Sequence, residues 1–89
     1  MTGILNKRPE RFVETEIDDE VVVMDLASGN FFSLKETGLE IWRLIDGTHD
    51  RAGITAALAA AYAVPDSEIA EDVGVFLDQV LAAGLIEAQ

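Results

Sequence analysis

The chain has 89 residues, 49% of them hydrophobic and 26% charged, which suits one small domain with a modest core and excludes a second domain. It contains no cysteine, which excludes disulfides and thiolate metal sites. Six basic side chains against seventeen acidic ones leave a formal net charge of −11. Because such a surface repels nucleic-acid phosphates and anionic lipids, we expect neither a nucleic-acid nor a membrane partner.

The first residues show no sustained hydrophobic period. Pro9 lies among charged side chains, so we expect residues 1–11 to form a flexible arm before a single domain over residues 12–89. No apolar run has the length of a signal peptide core, or the roughly 18–20 residues of a membrane span. The sequence therefore indicates a cytoplasmic protein.

Strand-like patterns fill the next part of the chain. Three segments have the alternation or the β-branched composition of strands: residues 12–17, 20–26 and 30–34. Asp18-Asp19 is a natural turn between the first two, and Gly29 and Asn30 tolerate the positive φ of a tight connection between the second and third. Alternation places Phe32 and Leu34 on one face, which we expect to point toward the helices. The pattern predicts an antiparallel meander.

Helical periodicity takes over after the third strand. Ser33 and Glu36 have the spacing of a capping box for a first helix, which Asp46-Gly47 ends. Asp50 can cap a second helix, and a third is predicted over residues 66–83. After Gly84 the chain can place a short hydrophobic tail under the core. The order is β-β-β-α-α-α, which indicates an α+β fold.

Catalytic chemistry is nearly absent from the sequence. The single histidine, His49, reads as a loop residue, and the acidic run Asp18–Glu20 reads as a solvated turn. Trp42 lies among apolar residues at helical spacing and is expected in the core. No glycine-rich phosphate cradle follows a strand. We therefore expect no enzyme activity, no cofactor and no metal.

Surface geometry offers a binding function instead. Predicted strand 30–34 is an edge strand without charge, whereas the opposite edge carries Glu14 and Glu16, so an extended peptide can pair with the unguarded edge. One flank of the third helix forms a mixed polar and apolar strip: Glu68, Asp72, Val75, Gln79 and Ala83. Val75 is apolar outside the core stripe, which makes this flank a candidate groove wall.

Six short motifs occur in a fixed order between Val22 and Ile86: Thr37-Gly38, Ile41-Trp42, Asp46-Gly47, Asp72-Val73, Phe76-Leu77 and Gly84-Leu85-Ile86. This ordered set resembles PqqD-like proteins, the RiPP recognition elements. The family often has Asn as a helix cap where this chain has Lys35, which leaves Ser33 as the predicted cap. It also often has Asp-Pro where this chain reads Pro65-Asp66.

The resemblance implies a winged-helix-like domain that binds the leader segment of a ribosomally made precursor peptide. The leader would add as a strand beside the third strand, against the third helix, and be presented to a maturation enzyme, either a protease with a cyclase or a radical-SAM enzyme. Carried over by position, the contact residues are Asn30, Phe31, Phe32, Ser33, Leu34, Asp72, Val75, Phe76 and Gln79. The acidic flank suggests a leader with basic residues.

Two other functions stay open at this point. The same helix order suits a winged-helix DNA-binding protein, although the third helix contains five acids and no base. The chain is also compatible with an interaction or regulatory subunit unrelated to peptide modification. In each case we expect a monomer, because the net charge opposes self-association, with weak dimers through the open edge as the alternative.

Overall fold

A computed structural model describes residues 3–89. Its elements in chain order are β1 Leu5–Lys7, β2 Phe12–Ile17, β3 Glu20–Asp25, β4 Phe31–Leu34, α1 Glu36–Leu44, α2 Arg51–Tyr62, α3 Asp66–Ala82 and β5 Ile86–Ala88. Strands β2, β3 and β4 form an antiparallel sheet in that order, and β1 pairs with β5. The predicted α+β fold, a three-stranded meander followed by three helices, is confirmed.

Alternation along the meander separates a buried face from an exposed one. On β3, Val21 and Val23 are buried and face the helices, whereas Val22 and Met24 lie on the opposite face. On β4, Leu34 is buried and Phe32 packs against the core, while Phe31 is exposed. The face predicted for Phe32 and Leu34 is confirmed.

The carboxylate of Asp25 organises the connection between β3 and β4. It accepts hydrogen bonds from the Ser28 hydroxyl at 2.9 Å and from the Ala27 N–H at 3.0 Å. These two bonds, that of Ser28 first, lower the pKa of Asp25 below its ordinary value. Because both bonds are local, the sequence Asp25 to Ser28 itself stabilises the turn that positions β4.

Part of the segment predicted as a flexible arm, residues 1–11, has regular structure, and Met1 and Thr2 lie outside the described residues. Strand β1 pairs antiparallel with β5, and Leu5 is buried in the core. A short 3-10 helix, Pro9–Arg11, then leads into β2. A three-residue strand is too short to show a period, and its partner lies at the other end of the chain, so local pattern carried no signal.

The helix termini agree with the sequence in two places and differ in one. The Asp50 carboxylate accepts from the Gly53 N–H at 2.7 Å and caps α2 as predicted. Gly84, with φ of 77°, ends α3 as predicted, and the following tail is buried. The capping box at Ser33 is wrong, because Ser33 pairs with Val22 inside the sheet and α1 starts after Lys35 without a side-chain cap.

The core lies between the inner sheet face and the three helices. Trp42 of α1 is 1% exposed and packs edge-on against Phe12, with ring centroids 5.3 Å apart. Its indole N–H donates to Glu14 Oε1 at 2.5 Å. Helix α3 contributes a fully buried stripe: Ile69, Val73, Leu77 and Val80. The core role predicted for Trp42 is confirmed.

Candidate functional site

The free edge of β4 presents unpaired backbone groups. The Asp25 N–H donates to the Asn30 carbonyl at 2.8 Å, so Asp25 and Asn30 form a hydrogen-bonded pair. The next pair along the two strands is Met24 with Phe31. Bonded and non-bonded pairs alternate in antiparallel sheets. The N–H and C=O groups of Phe31 and Ser33 therefore point away from β3, toward an edge with which no other described strand pairs.

A groove runs from this edge to helix α3. One cavity of about 400 Å³ lies along β4 and one of about 300 Å³ lies between α1 and α3. The first is lined by Phe31, Phe32, Ser33, Leu34, Lys35, Gly38, Phe76, Gln79 and Val80. The second is lined by Thr37, Gly38, Ile41, Glu71, Asp72, Val75, Phe76 and Gln79. Because both share Gly38, Phe76 and Gln79, we treat them as one groove, the β4–α3 groove.

The middle of the β4–α3 groove is formed by Gly38 and Phe76. Phe76 is partly buried and packs against the core cluster. A Cβ atom placed on Gly38 would lie 3.6 Å from the Phe76 ring, which is ordinary van der Waals contact. The absence of a side chain at Gly38 thus leaves the Phe76 ring accessible from the groove.

The far wall of the groove is apolar near its centre and acidic at its rim. Val75 is 53% exposed although it is apolar, and Gln79 beside it offers both amide donors and an amide acceptor. Glu71 and Asp72 are exposed and form no ion pair with any residue of the described range 3–89. The wall can therefore accept an apolar side chain next to a basic one.

Eight of the nine predicted contact residues line the two cavities of the groove. The ninth, Asn30, precedes β4, and its backbone groups are used internally: its carbonyl accepts from Asp25, and its N–H donates to the Ser28 hydroxyl at 3.2 Å. The structure thus brings the predicted residues of strand and helix together at one surface. Their role as peptide contacts stays a prediction.

Six lining residues were missed by sequence reasoning: Lys35, Thr37, Gly38, Ile41, Glu71 and Val80. Glu71 had a signal, because it lies four residues before Val75 and eight before Gln79 on one helix face. Gly38 and Lys35 had none, because the packing of the α1 N-terminus beside α3 is a tertiary feature. The periodicity of hydrophobic residues along the sequence carries no information on this packing.

The residues considered for catalysis lie away from this groove. His49 is in the connection between α1 and α2, where its Nδ1 lies 3.0 Å from the Asp46 carboxylate. Bonds from the Thr48 hydroxyl and from His49 lower the pKa of Asp46 to about 2. Within residues 3–89 no cluster of acidic and histidine side chains has the arrangement of a metal site. In the same range, no helix has the length and apolarity needed to cross a bilayer.

Comparison with known proteins decides the family. Residues 20–86 match the sequence profile of PqqD, described as coenzyme PQQ synthesis protein D. The chain belongs to the PqqD family. This confirms the resemblance drawn from the motifs. A search of curated proteins finds no match to this PqqD-family chain.

Two solved structures share the fold of this PqqD-family chain. The structure of TbiB1 in complex with the TbiA(beta) leader peptide is 30% identical, covers 92% of this chain and 94% of its own, and has a TM-score of 0.78. A lasso peptide synthetase B1 complexed with the leader peptide is 20% identical, covers 94% of this chain and 98% of its own, and also has a TM-score of 0.78.

Proposed function

We propose that this PqqD-family chain binds the leader segment of a ribosomally synthesised precursor peptide, as an added strand along β4 in the β4–α3 groove. The observation that carries the proposal is the charge-free edge of β4, whose free backbone groups at Phe31 and Ser33 border the β4–α3 groove. The structural likeness to TbiB1, which is seen with a leader peptide, supports it.

Two kinds of contact would hold the leader. Backbone groups of Phe31 and Ser33 would exchange hydrogen bonds with the peptide, which gives affinity without regard to side chains. Alternate peptide side chains would then face the groove, where Phe76 and Val75 offer apolar surface and Asp72 offers charge. Selection among leaders would come from this second set, because only side-chain contacts distinguish one sequence from another.

The same arrangement supports a presenting role rather than a catalytic one. The groove lining includes the hydroxyls of Ser33 and Thr37 and the ammonium group of Lys35, but it has no histidine to serve as a base for a nucleophile. The chemistry would be supplied by a maturation enzyme, either a protease with a cyclase or a radical-SAM enzyme. The precursor incubated with this chain alone should keep its mass.

The decisive test is Val75→Glu, measured by calorimetric titration with the cognate leader. The substitution adds a charge to the groove wall and leaves the buried stripe of α3 intact, so the melting temperature should stay nearly unchanged. Leader affinity should fall by about 5- to 150-fold, which corresponds to roughly 1–3 kcal/mol for lost packing and an imperfectly paired group.

A matched control adds the same charge elsewhere on the same helix. Ala70 is exposed on α3 and lines neither cavity of the groove, so Ala70→Glu should bind the leader with parental affinity. Parental affinity in Val75→Glu would place the peptide on another surface. Equal losses in both variants would attribute the effect to net charge.

A further inference from the structure

The outer face of the β2-β3-β4 sheet is apolar and exposed. Register places Val13, Met24 and Phe31 side by side across the three strands, and Val13 and Phe31 are 47% and 68% exposed. Further along the same face, Val22 pairs across the strands with Thr15 and Ser33, and Ile17 is exposed beside Glu20. Within residues 3–89 no helix packs on this face, since α1 meets the sheet where Val21, Val23 and Leu34 are buried.

From these observations we propose that this outer sheet face is the docking surface for the maturation enzyme that receives the leader. The proposal rests on the proposed function, because it places the enzyme next to the bound peptide. A strand added at β4 extends the same sheet, and its alternate side chains would point outward beside Phe31 and Ser33. An enzyme seated on this face would thus contact the domain and its peptide together.

A second copy of this chain is disfavoured as the occupant by its charge. A second copy would bring together two chains of net charge −11, which repel each other.

The size and rim of the face indicate what kind of partner fits. With strands about 4.8 Å apart and about 3.3 Å per residue, the face measures roughly 300 Å², well below the roughly 800 Å² per partner of a stable protein interface. A partner that also contacts the leader strand gains further area when the peptide is bound, so enzyme affinity should be weaker but still measurable without leader. Asp18, Asp19 and Glu20 form an acidic rim at one end of the face, so we expect an apolar enzyme patch bordered by basic residues.

The test is the double variant Val13→Thr and Ile17→Thr. Threonine keeps the β-branched shape that suits a strand but replaces a methyl group of Val13, and the ethyl group of Ile17, with a hydroxyl. Both positions lie on β2, on the far side of the sheet from the β4 edge, so leader affinity and melting temperature should match the parent. Affinity for the purified maturation enzyme that acts on the cognate precursor should fall at least tenfold, measured by titration with and without leader.

Val75→Glu is the complementary variant. It should bind the leader more weakly than the parent, but without leader it should bind the enzyme with parental affinity. Enzyme affinity that is unchanged in the double threonine variant would overturn the docking proposal. A dimer of the parent chain that the double variant abolishes would also overturn it, in favour of a second copy. Failure of the parent to bind leader would overturn the proposed function instead. Titration of the enzyme without leader tests the docking proposal separately from leader binding.

Discussion

Trp42 shows how one residue joins the sheet to the helices. Its ring is buried against Phe12, its indole N–H donates to Glu14, and the Lys7 ammonium lies 4.9 Å from the ring centroid. Partial burial at this position lowers the pKa of Lys7 below its ordinary value. One side chain therefore contacts β1, β2 and the core at once, which makes it a strong test of the packing.

We expect Trp42→Ala to destabilise the chain by about 3–5 kcal/mol, because removing a large buried aromatic leaves a cavity that the surroundings fill only partly. That is a large share of the roughly 5–15 kcal/mol available to a small domain. Urea unfolding followed by circular dichroism measures it. Glu14→Gln is the control, since it keeps an acceptor oxygen and should cost about 1 kcal/mol or less. Equal stability of Trp42→Ala and the parent would contradict the core assignment.

At the scale of elements, the sequence predicted what is local and missed what is distant. Strands β2, β3 and β4 were recognised because alternation and turn residues lie within a few positions of each other. The capping box at Ser33 failed because pairing with Val22 competes for the same residue and keeps it extended. For the groove, the sequence showed an uncharged edge strand at β4 and a mixed polar and apolar flank on α3. The contribution of Gly38 could not be predicted, because it depends on how α1 packs against α3.

Strand β1 provides a test of the element that sequence reasoning missed. Leu5 is 3% exposed, and its N–H donates to the His49 carbonyl at 2.9 Å while its carbonyl accepts from the Gly47 N–H at 3.0 Å. We expect Leu5→Ala to lower the free energy of unfolding by about 2–5 kcal/mol, as for other buried leucines. Urea unfolding of Leu5→Ala beside Ile4→Ala, a less buried neighbour, measures the difference. A loss no larger than that of Ile4→Ala would indicate that β1 contributes little.

For the whole molecule, charge and sheet geometry divide the surface into distinct parts. The β4–α3 groove has an acidic rim at Glu71 and Asp72, while the outer sheet face has its own at the β2–β3 turn. These acidic side chains thus lie at the borders of both proposed binding surfaces. Such a distribution favours partners with basic residues and opposes dimers of this chain.

The last prediction concerns the salt dependence of leader binding. Attraction between basic leader residues and the rim of the groove weakens as ionic strength rises, because the screening length falls from roughly 10 Å at 0.1 M to roughly 3 Å at 1 M. Leader affinity should therefore decrease with added sodium chloride in calorimetric titrations. The double variant Glu71→Gln and Asp72→Asn should bind more weakly at low salt and show a shallower decrease.

Asp18→Asn with Asp19→Asn is the matched control, because it changes the net charge by the same amount at the β2–β3 turn and neither residue lines the groove. Asparagine also tolerates the left-handed conformation of Asp18, whose φ is 54°. This control should keep both the parental affinity and the parental salt dependence. If the two double variants shifted equally, the attraction would come from the total charge of the chain, and the local role of Glu71 and Asp72 would be rejected.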